Sequence, residues 1–379
     1  MNFDFDQKVW EFWEEIENIF DDELKASLKE MESGGPDSGK GIVLECLQRL
    51  GEIGYLDLGL KEARNSSILV SAQEILAIQD ASLFLSIEVS TRIFGRLISK
   101  YGGDQSKSEI LEGLKKGRII GTVAQSEKGT NLEGHPIETV GRHDGEGFRV
   151  SGRKDAVINA FIADWIAVTG RVGDDPAFFL VQRDDQGLTV GPGISKLGYN
   201  NVSTSSLVLN NCFVPSDHVI GPFDNDRTLK EVRLWEDQVL TAAALGLMKQ
   251  SLDEAKDFAK KHESGGKPVI AYQEVGFKLA EMFTLYQTSQ LLAYRSAWMD
   301  ETGDRGAGVV ANCAKVFCGE SAEKIASEAL QILGIKGFTS NNPAEEGFRN
   351  AKYLQIAGTS TEISRMKIAD GVLTSEGIH

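Results

Sequence analysis

The stretch that decides the fold is Thr228–His262, TLKEVRLWEDQVLTAAALGLMKQSLDEAKDFAKKH. Thr228 and Glu231 stand three apart before an apolar run, the pattern of a capping box at a helix start. Val232, Trp235, Val239, Ala242, Ala243 and Gly246 then recur three or four apart, on one stripe of a helix. Leu234, Leu240, Leu245 and Leu247 cover other faces, so the helix is predicted to be buried on most sides. Glu236 falls inside the stripe. A carboxylate one turn inside a buried helix is expected to be partly desolvated, which raises its pKa and suits a general base near neutral pH. The competing reading makes Trp235-Glu236-Asp237 a solvated knuckle near the helix start. The residues alone leave the two open.

Upstream, residues 1–118 read as helices. Val9, Phe12, Trp13, Ile16 and Phe20 recur at helical spacing, and the N-terminal tryptophans read as core. GGPDSGKG (Gly34–Gly41) is a loop, followed by further amphipathic segments, Leu44–Leu56 and Ser67–Gly102. The texture changes near Arg118. From Ile119 to about Gly221, short alternating runs are split by Gly, Asp and Asn. ETVGRHDGEGFRVSGRK reads as a hairpin with DGEG as its turn. DWIAVTG, AFFLVQR, LTVGPG and SSLVLNNCFVP read as further strands of an antiparallel β domain or barrel. From Thr228 onward the pattern is helical again, over 228–262, about 270–300, about 307–332 and about 360–373. The layout is α+β in three parts: an N-terminal helical domain (1–118), a central antiparallel β domain (119–224) and a C-terminal helical bundle (225–379).

Composition narrows the function. With 379 residues and 41% hydrophobic content, the chain can bury a large core. A net charge of −16 argues against a nucleic-acid surface, which needs a basic patch. No apolar run approaches the ~18 residues of a membrane span. The acidic N-terminus lacks the basic region of a signal peptide, and Cys46, Cys212, Cys313 and Cys318 show no CxxC spacing. All four are expected to be reduced and buried, and the compartment cytoplasmic. The five histidines form no HxxxH or HExxH pair, so no metal site is expected. GxGxxG, GxxxxGK[ST] and GxSxG are all absent. A large cofactor would have to lie in a cleft between the β domain and the helices.

Four blocks, in order and in register, resemble the acyl-CoA dehydrogenase family. They are GTVAQSEKGTNLEG (Gly121–Gly134), FRVSGRKDAVINAFIADWIAV (Phe148–Val168), LVLNNCFVPSDHVIG (Leu207–Gly221) and QILGIKGFTSNNPAEEGFRNAKYLQIAGTSTEISR (Gln331–Arg365). The resemblance implies that family's fold, with a C-terminal four-helix bundle and FAD held in the cleft and across a subunit interface. It implies that Val123, Gln125, Ser126, Ala156, Ile158, His262, Gln331, Gly334, Ser360 and Glu362 stand at cofactor-contact positions. Phe84, Glu88, Leu132 and Asp237 stand at substrate positions. In most of the family the base is a glutamate near the C-terminus, which falls here at Gly358 or Ala357. In a minority branch, of which isovaleryl-CoA dehydrogenase is the known case, the glutamate lies on the first helix after the β domain, and that position is Glu236. Glu88 is the next candidate.

The departures from the family pattern concern the site. Asp237 replaces an arginine that helps hold CoA. Ile158 replaces a flavin-facing hydroxyl residue, and Ala156 the aromatic that shields the ring. His262 stands where an arginine reaches FAD pyrophosphate, with Lys260 and Lys261 beside it, and Leu132 replaces a loop serine. The expected activity is FAD-dependent α,β-dehydrogenation of an acyl thioester on CoA or on a carrier protein. Electrons would pass to an electron-transfer flavoprotein, in a homo-oligomer, a dimer or homotetramer. The alternative is a non-catalytic, flavin-poor subunit that works in a hetero-oligomer with a paralogue.

Overall fold

Segments with helical periodicity at both ends and period-two runs between them settle into two helical parts around a sheet. A computed structural model describes residues 7–31, 39–60, 66–128, 137–339 and 342–374. Among these, the N-terminal part holds α1 (Gln7–Ile19), α2 (Asp22–Met31), α3 (Lys40–Glu52), α4 (Ser66–Gln79) and α5 (Ala81–Glu88). A π-helical stretch, Val89–Gly95, joins α5 to α6 (Arg96–Tyr101), and the short α7 (Asp104–Ser106) and α8 (Glu112–Lys115) follow. The strands are β1 (Gly121–Ala124), β2 (Val140–Asp144), β3 (Gly147–Ile158), β4 (Trp165–Val172), β5 (Asp175–Gln182), β6 (Leu188–Gly193), β7 (Thr204–Pro215) and β8 (Val219–Ile220). The C-terminal part holds α9 (Arg227–Lys261), α10 (Gln273–Glu301), α11 (Ala307–Leu333), α12 (Pro343–Ile356) and α13 (Thr361–Leu373).

The sheet runs β6-β7-β3-β2-β4-β5-β8, with β1 pairing β4. The expectation of a purely antiparallel domain is corrected along β4, which pairs in parallel with β2 at Val140–Arg171 as well as with β1. β1 runs parallel to β4, with Gly121 opposite Trp165, because it enters from the N-terminal helices rather than from a hairpin. The hairpin around DGEG forms as expected, with Asp144 opposite Gly147.

The capping box is also corrected. α9 starts one residue before Thr228, and Asp226 at its N-cap makes no side-chain cap. Glu231 instead accepts from Lys100 and the Tyr101 hydroxyl of α6. Those donors are charged or strongly polar and lie across a packed helix pair, so they outcompete a local backbone N–H. Further along, α9 crosses α4 at Gly246, where a Cβ would lie 2.5 Å from the Cβ of Ala77. Only glycine permits this approach without a shift.

Three links fix the β domain against the bundle. Arg349 of α12 donates to the Leu197 carbonyl at 2.7 Å, and Asn350 accepts from the Tyr199 N–H at 2.6 Å. The rings of Tyr199 and Tyr353 stand 5.0 Å apart. Four cysteines are free, three of them buried and Cys313 half-buried. Among the described residues no helix is long and apolar enough to cross a membrane.

Candidate active site

Where β1, the end of β3, the π-helical stretch, α9 and the α12–α13 turn meet, they enclose a cleft of about 520 Å³. The β-domain wall is set by a bulge. Between Lys154 and Val157 the β3–β7 register shifts, and Ala156 takes a positive φ of 55°. The bulge turns Asp155, Ala156, Val157 and Ile158 toward the cleft, where all four line it. Asp155 N–H donates to the Ser126 carbonyl at 2.9 Å, and Thr122 Oγ1 donates to the Ile158 carbonyl at 2.6 Å. Beneath this wall lies Lys154, fully buried. Its ammonium donates to Glu127 at 2.6 Å, to Thr169 Oγ1 at 2.9 Å and to the Gln125 carbonyl at 3.3 Å. Burial pushes the Lys154 pKa down to about 8, and the Glu127 carboxylate opposes that shift. The buried pair anchors the Gln125–Glu127 segment that carries the cleft's polar edge.

The helical wall comes from α9. Glu236 and Arg233, three residues apart and so on one face, form an ion pair at 2.5 Å with most of both side chains buried. Both line the cleft, opposite Val89 and Ile93 of the π-helical stretch. The third wall is the turn Ala357–Ser360, with Tyr353 and Ile356 before it and Glu362 and Ile363 after it. Ser360 caps α13 by accepting from the Ile363 N–H. Thr359 stands at this wall and gives its N–H to Asp237 at 2.7 Å.

Of the residues expected at cofactor positions, Val123, Gln125, Ser126, Ala156, Ile158, Ser360 and Glu362 line this one cleft, together with Glu236. His262, Gln331 and Gly334 do not line it. His262 follows α9 and stacks on Phe258 with ring centroids 4.6 Å apart, and Gln331 and Gly334 are exposed at the end of α11. Among the expected substrate residues, Phe84 is fully buried in the N-terminal core. Glu88 is also fully buried and accepts from the Tyr55 hydroxyl at 2.6 Å and from Gln73, with Arg92 Nε at 3.8 Å. Neither reaches the cleft. Leu132 lies outside the described residues. Asp237 does not line the cleft: it points about 100° around α9 from Glu236, beneath the 357–360 turn. Desolvation raises its pKa to about 6, against the opposing Lys315 charge and the Thr359 hydrogen bonds.

Arg233, Tyr353, Val89 and Ile93 were not singled out by the sequence.

A second cavity, about 490 Å³, opens between α4, α6, α9 and α10. Arg96 lies over the Trp235 ring there, 4.6 Å from its centroid and 3.7 Å from Asp300.

The cleft fits a flat amphipathic ring system. Its floor is apolar (Val123, Val157, Ile158, Ile363), and its edge carries the Gln125, Ser126, Thr359 and Ser360 polar groups. A carboxylate faces the same space. This arrangement suits a flat ring system beside a carboxylate on a rigid helix. Residues 122–212 match the acyl-CoA dehydrogenase middle domain, and residues 234–373 match the acyl-CoA dehydrogenase C-terminal domain, together more than half of the chain. The chain belongs to the acyl-CoA dehydrogenase family. It is 26% identical over 349 residues to benzylmalonyl-CoA dehydrogenase of Aromatoleum aromaticum, covering 89% of this chain and 91% of that one. Among solved structures it is similar to butyryl-CoA dehydrogenase from Megasphaera elsdenii, with a TM-score of 0.89 and 22% identity over 98% of this chain and 100% of that one. It is also similar to the prolyl acyl carrier protein oxidase AnaB, with a TM-score of 0.85 and 21% identity over 97% and 100% of the two chains.

Proposed function

We propose that the chain is an FAD-dependent acyl-thioester dehydrogenase that introduces an α,β double bond, with Glu236 as its general base. The observation that carries this reading is that Glu236 opens into the same cleft as Ser126, Ile158 and the 357–360 turn. FAD, when bound, supplies the acceptor for the hydride that leaves the β-carbon. Glu236 takes the proton from the carbon beside the thioester carbonyl. The Ala357 and Gly358 positions, where most of the family carries its base, hold no titratable side chain, so Glu236 is the carboxylate of the helical wall at this point. Gln125, Ser126, Thr359 and Ser360 would hold the cofactor's polar edge. Arg233 pairs with Glu236 in this state, and proton abstraction requires that pair to loosen as the thioester seats itself.

A thioester on CoA or on a carrier protein fits the names of the relatives, and the absence of an arginine at Asp237 favours the carrier form. Phe277, Leu291 and Trp298 are exposed on one α10 stripe, which supports a dimer or homotetramer. In it, His262, Gln331 and Gly334 would face a neighbouring subunit's cofactor. Electrons would pass to an electron-transfer flavoprotein. The test is the visible spectrum of the purified chain after incubation with FAD, followed by anaerobic addition of a panel of acyl-CoA and acyl-carrier thioesters. Bound flavin that bleaches with at least one thioester is the expected outcome. A chain that retains no flavin sinks the reading.

The Glu236–Arg233 pair, with Ala156 and Ile158 in place of an aromatic and a hydroxyl, also favours a second reading: a non-catalytic subunit. That reading requires a colourless protein which gains flavin and activity only when co-expressed with a paralogue.

A further inference from the structure

Asp237 replaces a cation of the family pattern, is almost fully buried, and does not touch the cleft; the structure gives it another partner. Its carboxylate accepts the Thr359 N–H at 2.7 Å. The turn fits so closely over it that a Cβ at Gly358 would lie 2.4 Å from Asp237 Oδ1 and 3.0 Å from Leu240 Cδ1. Gly358 also holds a φ of 66°, so glycine is required there on two counts. The same turn is gripped from α11. Lys315, 1% exposed, donates to the Leu354 carbonyl and, at 3.1 Å, to the Ala357 carbonyl. These are orphan acceptors at the end of α12, which a cation satisfies well. One buried acid and one buried base thus fasten opposite ends of a four-residue turn to α9 and α11. The turn's other side is the cleft wall.

We propose that Asp237, assisted by Lys315, is a positioning residue that holds the 357–360 turn in register with Glu236, its immediate neighbour on α9. This rests on the reading of the cleft as the flavin and thioester site. Asp237 thereby fixes the distance between the base and the facing wall. The functional group required is a hydrogen-bond acceptor at Asp237, not a negative charge. Asp237→Asn retains that acceptor, and Asp237→Ala does not.

The test is hydrogen exchange of the peptide spanning Ile356–Glu362 in the flavin-free protein, read beside fluorescence titration with FAD. Losing a buried hydrogen bond should raise exchange in this peptide by on the order of tenfold or more in Asp237→Ala. FAD affinity should fall by a similar factor, and exchange in the α9 segment Ala242–Leu252 should not change. Asp237→Asn should restore both readouts to within about threefold of the parent. Exchange within about twofold of the parent in Asp237→Ala, or equal shifts in the Ala and Asn variants, overturns the proposal. If Asp237→Ala is not recovered folded, Lys315→Met is read in the same assays, and an unchanged peptide there overturns it as well. The exchange arm needs no flavin. A parent that fails to bind FAD therefore refutes the reading of the cleft, while the exchange data still judge the clamp.

Discussion

Two cavities of nearly equal volume flank α9, about 520 Å³ toward the β domain and about 490 Å³ toward the N-terminal helices. They differ in what their polar groups already do. In the second, Glu231 is taken by Lys100 and Tyr101, Glu301 by the Ser66 backbone and hydroxyl, and Asp300 by Gln238 at 3.0 Å with Arg96 beyond it. Cations and acids answer one another across that space. In the first, the Glu236–Arg233 pair faces the apolar side chains of Val89, Ile93, Val157 and Ile158. Size therefore does not mark the site here. An acid–cation pair set against apolar side chains does.

Substitutions can break or sharpen this contrast. The largest effect belongs to Glu236→Gln, which keeps shape but removes the proton acceptor. It should fold and bind FAD as the parent does and lose on the order of 10²–10⁴-fold in the rate of flavin bleaching by a thioester, measured by stopped-flow absorbance. Loss of only a few fold would place the base elsewhere. Next is Lys154→Met, which leaves Glu127 buried without its cation. Urea unfolding should show a loss of about 3–5 kcal/mol, since breaking one side of a buried pair strands the other charge. A loss under about 1 kcal/mol would mean that water or a neighbouring donor replaces the lysine.

Asp237 gives a smaller effect that depends on pH. Its folded pKa, about 6, lies above the ordinary 3.8, so between those values the folded state holds a proton that the unfolded chain has lost. Stability should therefore fall as pH rises from about 4 through about 6, then level off. Asp237→Asn should flatten that step in urea titrations at pH 4.5 and 7. An unchanged step would assign it to another group. The smallest effect is on the far side of the helix. Glu231→Gln disrupts a partly exposed pair with Lys100, so it should cost roughly 0–1 kcal/mol and leave bleaching unchanged. A large loss of bleaching there would make the second cavity functional and erase the contrast.

The sequence showed α9 to within a residue, and most strands, because their periodicity is imposed by burial on fixed faces. Local chemistry was less reliable. Thr228 and Glu231 matched a capping box, yet Glu231 found stronger donors on α6, which no local pattern reveals. α12 escaped notice as a helix because its pattern is short and its apolar residues pack against the β-domain loop at Tyr199. In the cleft, Glu236 stands out by its place on a stripe together with the resemblance to the minority branch, the stripe alone leaving a solvated reading open. Arg233 does not, since only the fold shows that an i−3 partner also faces the cavity. Asp237 stands at a substrate position only through the resemblance, which matches it to a CoA-holding arginine and does not show which way an aspartate there points.

Glu236 and Asp237 are adjacent on a rod that advances 1.5 Å and turns about 100° per residue. The helix therefore works as a gear with two teeth, one meshing with the cleft and one with the turn behind it. Deleting a single residue between Asp237 and Gly246 would rotate both teeth by that angle relative to the helix's close crossing at Gly246 and disengage them together. In this chain a shift of phase in α9 is a more severe lesion than most changes of residue type.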